Sequence, residues 1–216
     1  MPDVATQRVL IHVPIVHTHA DMGALGETIK HRLVEKFGEN WWRNNVSAID
    51  LVWDEIETSL RALDLPYHKV RIYQDGLPVC GREMDIVREL AAAGSRNHRL
   101  LLEMAGRGAV IMGTESAELL VEEYSRVRRL LQSSDFESKE EDFKTSGVSL
   151  IRKRDRFIAE RIAATLASGE VGILFLGMLH SLADLLPEDL QVLNLLPFAA
   201  SRARIVQALL AAKHRA

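Results

Sequence analysis

Short, unbroken apolar runs alternate with longer stretches of helical periodicity along this chain. That alternation constrains its fold more than any other feature. The segments 9–16, 69–73, 109–112, 171–178 and 191–196 have the length and composition of strands. Between the first four lie helical patterns. Segment 21–37 carries Met22, Leu25, Ile29, Leu33 and Phe37 on one stripe. A second stripe, Ile49, Val52, Trp53, Ile56, Leu60 and Leu63, opens at Ser47 and stops at Leu65-Pro66. Further helices are expected over 82–93, 95–106, 116–132 and 148–166, with a terminal one over 199–213. Strands separated by helices of this length imply a mostly parallel sheet of about five strands with helices on both faces. Continuous rather than alternating apolar runs suit strands buried on both sides. The expected fold is therefore a single α/β domain over 1–216. The polar stretch 133–147, rich in turn formers, is the expected mobile loop.

Composition bounds the function. With 216 residues the prior is one domain, and a formal net charge of −3 argues against a general nucleic-acid binder. Hydrophobic residues at 47% and charged residues at 26% are ordinary for a folded soluble domain. The single cysteine, Cys80, excludes an intramolecular disulfide and fits a reducing compartment. The N-terminal stretch lacks a signal-peptide pattern, because His12 and Pro14 interrupt the only early apolar run. No apolar run approaches 18 residues, so no membrane span is expected and a cytoplasmic location is the default.

In open parallel α/β sheets, ligands bind outside the carboxyl ends of the strands. Reading off those ends ranks the polar residues. The first strand ends in His17-Thr18-His19-Ala20-Asp21, the second in Gln74-Asp75-Gly76, the third in Gly113-Thr114-Glu115 and the fourth in Gly177-Met178-Leu179-His180-Ser181. Singly, several of these have ordinary structural explanations. Asp21 can cap a helix, Glu115-Ser116 can open one, and Asp75-Gly76 is a common turn pair. The two histidines serve neither purpose. Their convergence with carboxylates on one rim predicts a ligand or catalytic site.

His17, His19 and Asp21 spell H-x-H-x-D, and imidazole nitrogens are good metal ligands. Metallo-β-lactamases and amidohydrolases use a His-x-His after a strand in this way. Here, however, Met22 stands where the first of those families places a further histidine. A metal set would be drawn from His17, His19, Asp21 and His180, with Glu115 in reach. Zinc, manganese or iron are the candidates.

The helix over 148–166 adds a second feature. Positions 151, 155, 158 and 162 share one face, so Asp155 falls on the buried stripe beside Ile151, Ile158 and Ile162. A charge there must be paired. Asp155 either ties the structure or orients a rim histidine, and Arg154 either joins such a tie or holds an anionic substrate group. Cys80 follows the second strand and is more readily inert than nucleophilic. Trp41-Trp42 suits packing or a subunit contact better than ligand stacking. Neither a G-x-G-x-x-G loop nor a G-x-S-x-G elbow is present.

Two stretches carry a family resemblance. Arg154-Asp155-Arg156-Phe157-Ile158-Ala159-Glu160-Arg161-Ile162, followed by the apolar strand 172–177 and His180, resembles the ChaN-like, TraB and erythromycin-esterase-like superfamily. There an R-[DN]-x-x-[MI]-A-x-x-I helix precedes a strand ending in G-x-x-H. The first strand, ending at His17, looks like that group's opening strand, although Pro14-Ile15-Val16 replaces the Gly-Glu or Gly-Thr before its histidine. The resemblance covers about 50 residues and reaches His17, Arg154, Asp155, Gly177 and His180. It implies an α/β fold with the site on the rim described above. The group includes hydrolases, proposed metalloproteases and a haem-binding protein, so it narrows the chemistry only in part.

The leading expectation is a hydrolase, metal-assisted or not, with His17, His180, Asp155 and Glu115 as its catalytic group. Asp21, Gln74, Asp75, Thr114, Arg154, Gly177 and Ser181 are the expected ligand-binding residues. The alternative is a non-catalytic small-molecule binder or sensor, with haem as one candidate ligand, using the same rim. A third reading is a subunit of a complex, or a homo-oligomer, contacted through Trp41, Trp42 and 133–147.

Overall fold

The computed structural model describes residues 8–132 and 136–195, with the backbone alone over 136–146. Five strands, β1 (Arg8–Ile15), β2 (Val70–Gln74), β3 (Val110–Met112), β4 (Val171–Gly177) and β5 (Leu190–Asn194), form one sheet. Its order is β3-β2-β4-β1-β5 and every pairing is parallel. Six α-helices connect or cover these strands: α1 (Gly26–Phe37), α2 (Glu39–Arg61), α3 (Glu83–Ala92), α4 (Arg96–Gly106), α5 (Ala117–Gln132) and α6 (Phe136–Thr165). The expected single α/β domain is the fold observed.

The three central strands, β1, β2 and β4, are buried on both faces, as their unbroken apolar runs require, while the edge strands β3 and β5 expose Val110 and Val192. On one face Val9, Ile11, Val13, Ile72, Ile173 and Phe175 pack under Trp53, Ile56 and Leu60 of α2 and Leu101 and Met104 of α4. On the other, Leu10, Tyr73, Leu174 and Leu176 meet Ile158, Ala159 and Ile162 of α6 and Leu166 just after it. Period-two alternation along each strand delivers successive side chains to the two helical layers. Burial at about 25 cal/mol per Å² of apolar surface makes these two layers the main source of stability.

Four local expectations are corrected. The expected loop over 133–147 is helix over 136–147, the first part of α6, and 133–135 lie outside the described residues. Its charged run is built from Glu and Lys, which are good helix formers, so polarity alone misreads it. The helix expected from Ser47 begins at Glu39, directly after Gly38, whose φ of +85° turns the chain out of α1. The helix expected over 21–37 is a 3-10 segment, His19–Leu25, followed by α1, with Gly23 at φ +52° marking the kink. Strand β5 ends at Asn194, although Leu195 still donates its amide to the His12 carbonyl. The helix expected over 199–213 lies outside the described residues.

Central placement of β4, between β2 and β1, sets up the site. The carboxyl ends of three adjacent strands thereby stand side by side, with β3 next to them.

Candidate active site

Asp75 is the hub of the strand-end rim. It follows β2 directly, and its amide donates to the Phe175 carbonyl of β4 at 2.9 Å, so the sheet itself fixes its position. Its Oδ2 accepts from the Gly177 amide at 2.9 Å and pairs with His17 Nε2 at 3.1 Å. Its Oδ1 accepts from Arg154 Nη2 at 2.8 Å. A methyl group on residue 177 would stand 2.8 Å from Asp75 Oδ2 and 3.4 Å from His17 Nε2, so only glycine allows the three strand ends to close together here.

Glu115 reaches the same guanidinium from the end of β3. Arg154 Nε donates to its Oε2 at 2.8 Å and Nη2 to its Oε1 at 2.5 Å. The Gly76 amide also donates to Oε1, at 3.0 Å. Residues 113–115 are stitched to the loop after β2 by backbone bonds from Thr114 and Glu115 to the Leu77 carbonyl and from Val79 to the Glu115 carbonyl. Asp75 and Glu115 are therefore neighbours by backbone construction. Arg154 Nη1 completes the tie by donating to Glu123 of α5 at 2.7 Å. Every nitrogen of Arg154 is thus engaged, and its side chain is only 5% exposed.

The second histidine comes from the turn after β4. His180 Nδ1 lies 2.6 Å from Asp155 Oδ1 of α6, while Asp155 Oδ2 accepts from the Ser181 amide at 3.2 Å. Asp155 thereby fixes both the ring and the turn that carries it. His180 Nε2 stays 3.7 Å from Asp75 Oδ2, beyond hydrogen-bond length. Both histidines line a cleft of about 600 Å³, together with Asp75, Arg154 and Gly177 on its polar floor.

The charges divide unequally. For Asp75, burial opposes ionisation. Its hydrogen bond to His17 and the charges of His17, His180 and Arg154 outweigh burial and hold the carboxyl well below the usual range. Burial alone would lower His17, but the hydrogen bond and the charge of Asp75, helped by Asp21, hold it above its ordinary 6.5. Glu115 moves the other way. Burial, together with the charge of Asp75, raises it despite Arg154 and the Gly76 amide. The rim thus holds an ionised carboxylate against an imidazole that favours its protonated form.

The structure redistributes the expected roles. His17, Asp75, Arg154, Gly177 and His180 come together. Glu115 belongs to the same network, yet it is fully buried as a counter-ion to Arg154 and is not among the cleft-lining residues. Four of the five N–H donors of Arg154 go to carboxylates, so the structural tie is the reading its contacts support. Asp155 makes the contact to a rim histidine that its buried position predicted. Gln74 and Thr114 are buried below the rim. There Thr114 Oγ1 accepts from the Gln74 amide and donates to the Met112 carbonyl, and neither side chain lines the cleft. Ser181 contributes its backbone amide. Cys80 is exposed and lines neither cavity at the rim.

The H-x-H-x-D stretch does not assemble as a metal set. His19 is exposed and packs edge-on against Trp42, with ring centroids 5.8 Å apart. Asp21 turns away to accept from the Thr18 amide and hydroxyl, at 2.7 and 2.9 Å, and from the Ser95 hydroxyl. Burial works against its charge. Bonds from His98, Ser95 and Thr18 nevertheless lower its pKa to about 2. The group that does converge is Asp75, Glu115 and His180, whose ligand atoms lie within 4.8 Å of one another. A cation fits poorly there, because the Arg154 guanidinium already bridges Asp75 and Glu115, and like charges at that distance repel. The haem expectation relies on a rim histidine as one of the axial ligands that haem iron accepts. His17 spends Nε2 on Asp75, and the His180 side chain is 5% exposed.

Four residues that secure the site, Trp53, Ser95, His98 and Glu123, were not singled out as site residues in the sequence. Trp53, on the buried stripe of α2, donates its indole N–H to the Val16 carbonyl at 3.3 Å, one residue before His17. Ser95 and His98, at the start of α4, hold Asp21 and with it the turn after β1. Ser95 caps α4 and reaches Asp21 across 74 residues of chain. Glu123 reaches Arg154 from α5.

Compared with known protein families, curated proteins and solved structures, the chain matches none. No helix among the described residues is long and apolar enough to cross a membrane.

Proposed function

We propose that this chain is a hydrolase acting on a small ester or amide by metal-free acid–base chemistry. The observation that carries the reading is His180, held through Nδ1 by Asp155 while its Nε2 makes no hydrogen bond beside the cleft. A carboxylate on Nδ1 fixes the tautomer and leaves Nε2 to take a proton from water. In this scheme the water oxygen attacks the carbonyl carbon and its proton passes to His180. The negative charge that develops on the carbonyl oxygen is met by His17, whose protonated form Asp75 favours. Collapse breaks the bond to the leaving group, which departs with a proton. Water is consumed, and an acid and an alcohol or amine are released.

Arg154 and Glu115 are positioning residues in this scheme. They hold Asp75, and Asp75 holds His17. The resemblance of the 154–162 helix and the following strand to the ChaN-like, TraB and erythromycin-esterase-like group agrees with a hydrolase, since that group contains such enzymes.

The test is a screen of the purified protein on nitrophenyl esters and anilides. His180→Ala should abolish turnover, and Asp155→Asn should lower it by about 10²–10⁴-fold, the usual contribution of a positioned general base. Both variants should still unfold cooperatively. Turnover that survives His180→Ala would remove the mechanism. Ligand binding without any turnover in the unaltered protein would leave the rim as a small-molecule binding site, and its Arg154 network would then be purely structural.

A further inference from the structure

A second cavity, of about 330 Å³, adjoins the cleft. His17, Met22 and Ile29 line both. Its wall is supplied by Leu33 of α1 and by Trp42, Val46 and Ile49 of α2. The polar groups nearest this wall are already spent. The Thr18 hydroxyl donates to Asp21, and the Arg96 guanidinium is taken by Asp54, Glu57 and the Asp50 carbonyl. The other polar side chains of this lining, His19, Asn45, Asp50 and Arg99, are half-exposed or exposed. On the cleft side Leu120, Tyr124, Val127, Ile151, Met178 and Leu179 form a second apolar wall, and Met178 and Leu179 are 71% and 81% exposed. Large apolar side chains this open to water, at the mouth of a polar floor, are characteristic of a binding surface.

The polar floor of the site is therefore flanked by two apolar lobes that meet at His17. Most of the surface of both walls is apolar, which suits an alkyl or aryl group better than a sugar or nucleotide. We propose that the substrate is a hydrophobic ester or amide with an alkyl or aryl group on each side of its carbonyl, and that one of these groups fills the Trp42–Val46–Ile49 cavity. The placement of the carbonyl rests on the hydrolase reading. The occupancy of the cavity does not.

The test uses neutral probes that need no turnover. Straight-chain alcohols from butanol to octanol are titrated into the intact protein and read by tryptophan fluorescence. Affinity should rise about fourfold per added methylene, the gain expected when a CH₂ group leaves water for an apolar site. Val46→Phe, which fills the cavity from a half-buried position, should flatten that slope, and Trp42→Phe should remove the signal. A slope unaffected by Val46→Phe, or a signal that persists in Trp42→Phe, would place the alcohols elsewhere and overturn the assignment. Nitrophenyl esters of the same chain lengths separate the two claims. Alcohol binding with the expected slope but no ester turnover would keep the cavity and refute the hydrolase. Turnover indifferent to acyl length, with no alcohol slope, would do the reverse.

Discussion

Replacing Arg154 by Met isolates the physics that holds the rim together. In the folded protein its three nitrogens make four hydrogen bonds to three carboxylates. Glu123 is 37% exposed, so solvent screens that pair and it contributes little. Asp75 and Glu115 are 5% and 0% exposed, and the substitution leaves Glu115 without its cation and Asp75 with His17 alone. Breaking a buried pair from one side costs about 3–5 kcal/mol, because the remaining charge keeps its desolvation cost. For a chain of this size that loss corresponds to a melting temperature lower by roughly 6–20 °C. The deficit should also depend on pH. Glu115 is already raised beside Arg154, and without it would rise further. A carboxyl raised in the folded state weakens folding above its unfolded pKa, where it must be ionised, and ceases to do so once protonated. The deficit should therefore shrink between pH 8 and pH 5, and adding Glu115→Gln should recover part of it. Urea unfolding at both pH values measures this. A loss under about 1 kcal/mol at pH 8, with no change at pH 5, would refute the argument that these carboxylates depend on Arg154.

Two further predictions concern the strand ends. Gly177→Ala should cost about 1–3 kcal/mol in urea unfolding, the usual range for overpacking, since its Cβ would stand 2.8 Å from Asp75 Oδ2. An effect within experimental error would show that the carboxylate has room to move. Asp75→Asn should bring the His17 titration, followed by proton NMR of its ring, down from above 6.5. Because that pKa is raised in the folded state, the stability His17 contributes is present below pH 6.5 and is lost as pH climbs through the folded value. Asp75→Asn should flatten that dependence. An unshifted His17 resonance would mean that something other than Asp75 raises it.

The parallel sheet and the polar rim were legible because they follow from local pattern. Unbroken runs such as Val171–Gly177 can satisfy their apolar faces only between two layers, and strand ends in such sheets gather polar residues. The buried position of Asp155 followed from helical spacing alone. The expected loop over 133–147 failed for the opposite reason, since Glu and Lys are common to solvated loops and exposed helix faces. The metal pattern at His17, His19 and Asp21 failed because adjacency in sequence says nothing of direction. His19 turns to Trp42, and Asp21 turns to Ser95.

What the sequence by itself determined is the five strands and the list of polar residues at their ends, because both depend on spacing along one segment. Which of those residues meet was decided by tertiary structure. The order β3-β2-β4-β1-β5 places β4 between β2 and β1, and only then do His17, Asp75 and Gly177 converge. Arg154 is spent on Asp75, Glu115 and Glu123, which lie 79, 39 and 31 residues away along the chain. Those contacts require the whole sheet to close with α5 and α6 against it. A buried charge takes whichever partners the fold brings within hydrogen-bond reach, and sequence spacing does not encode that distance.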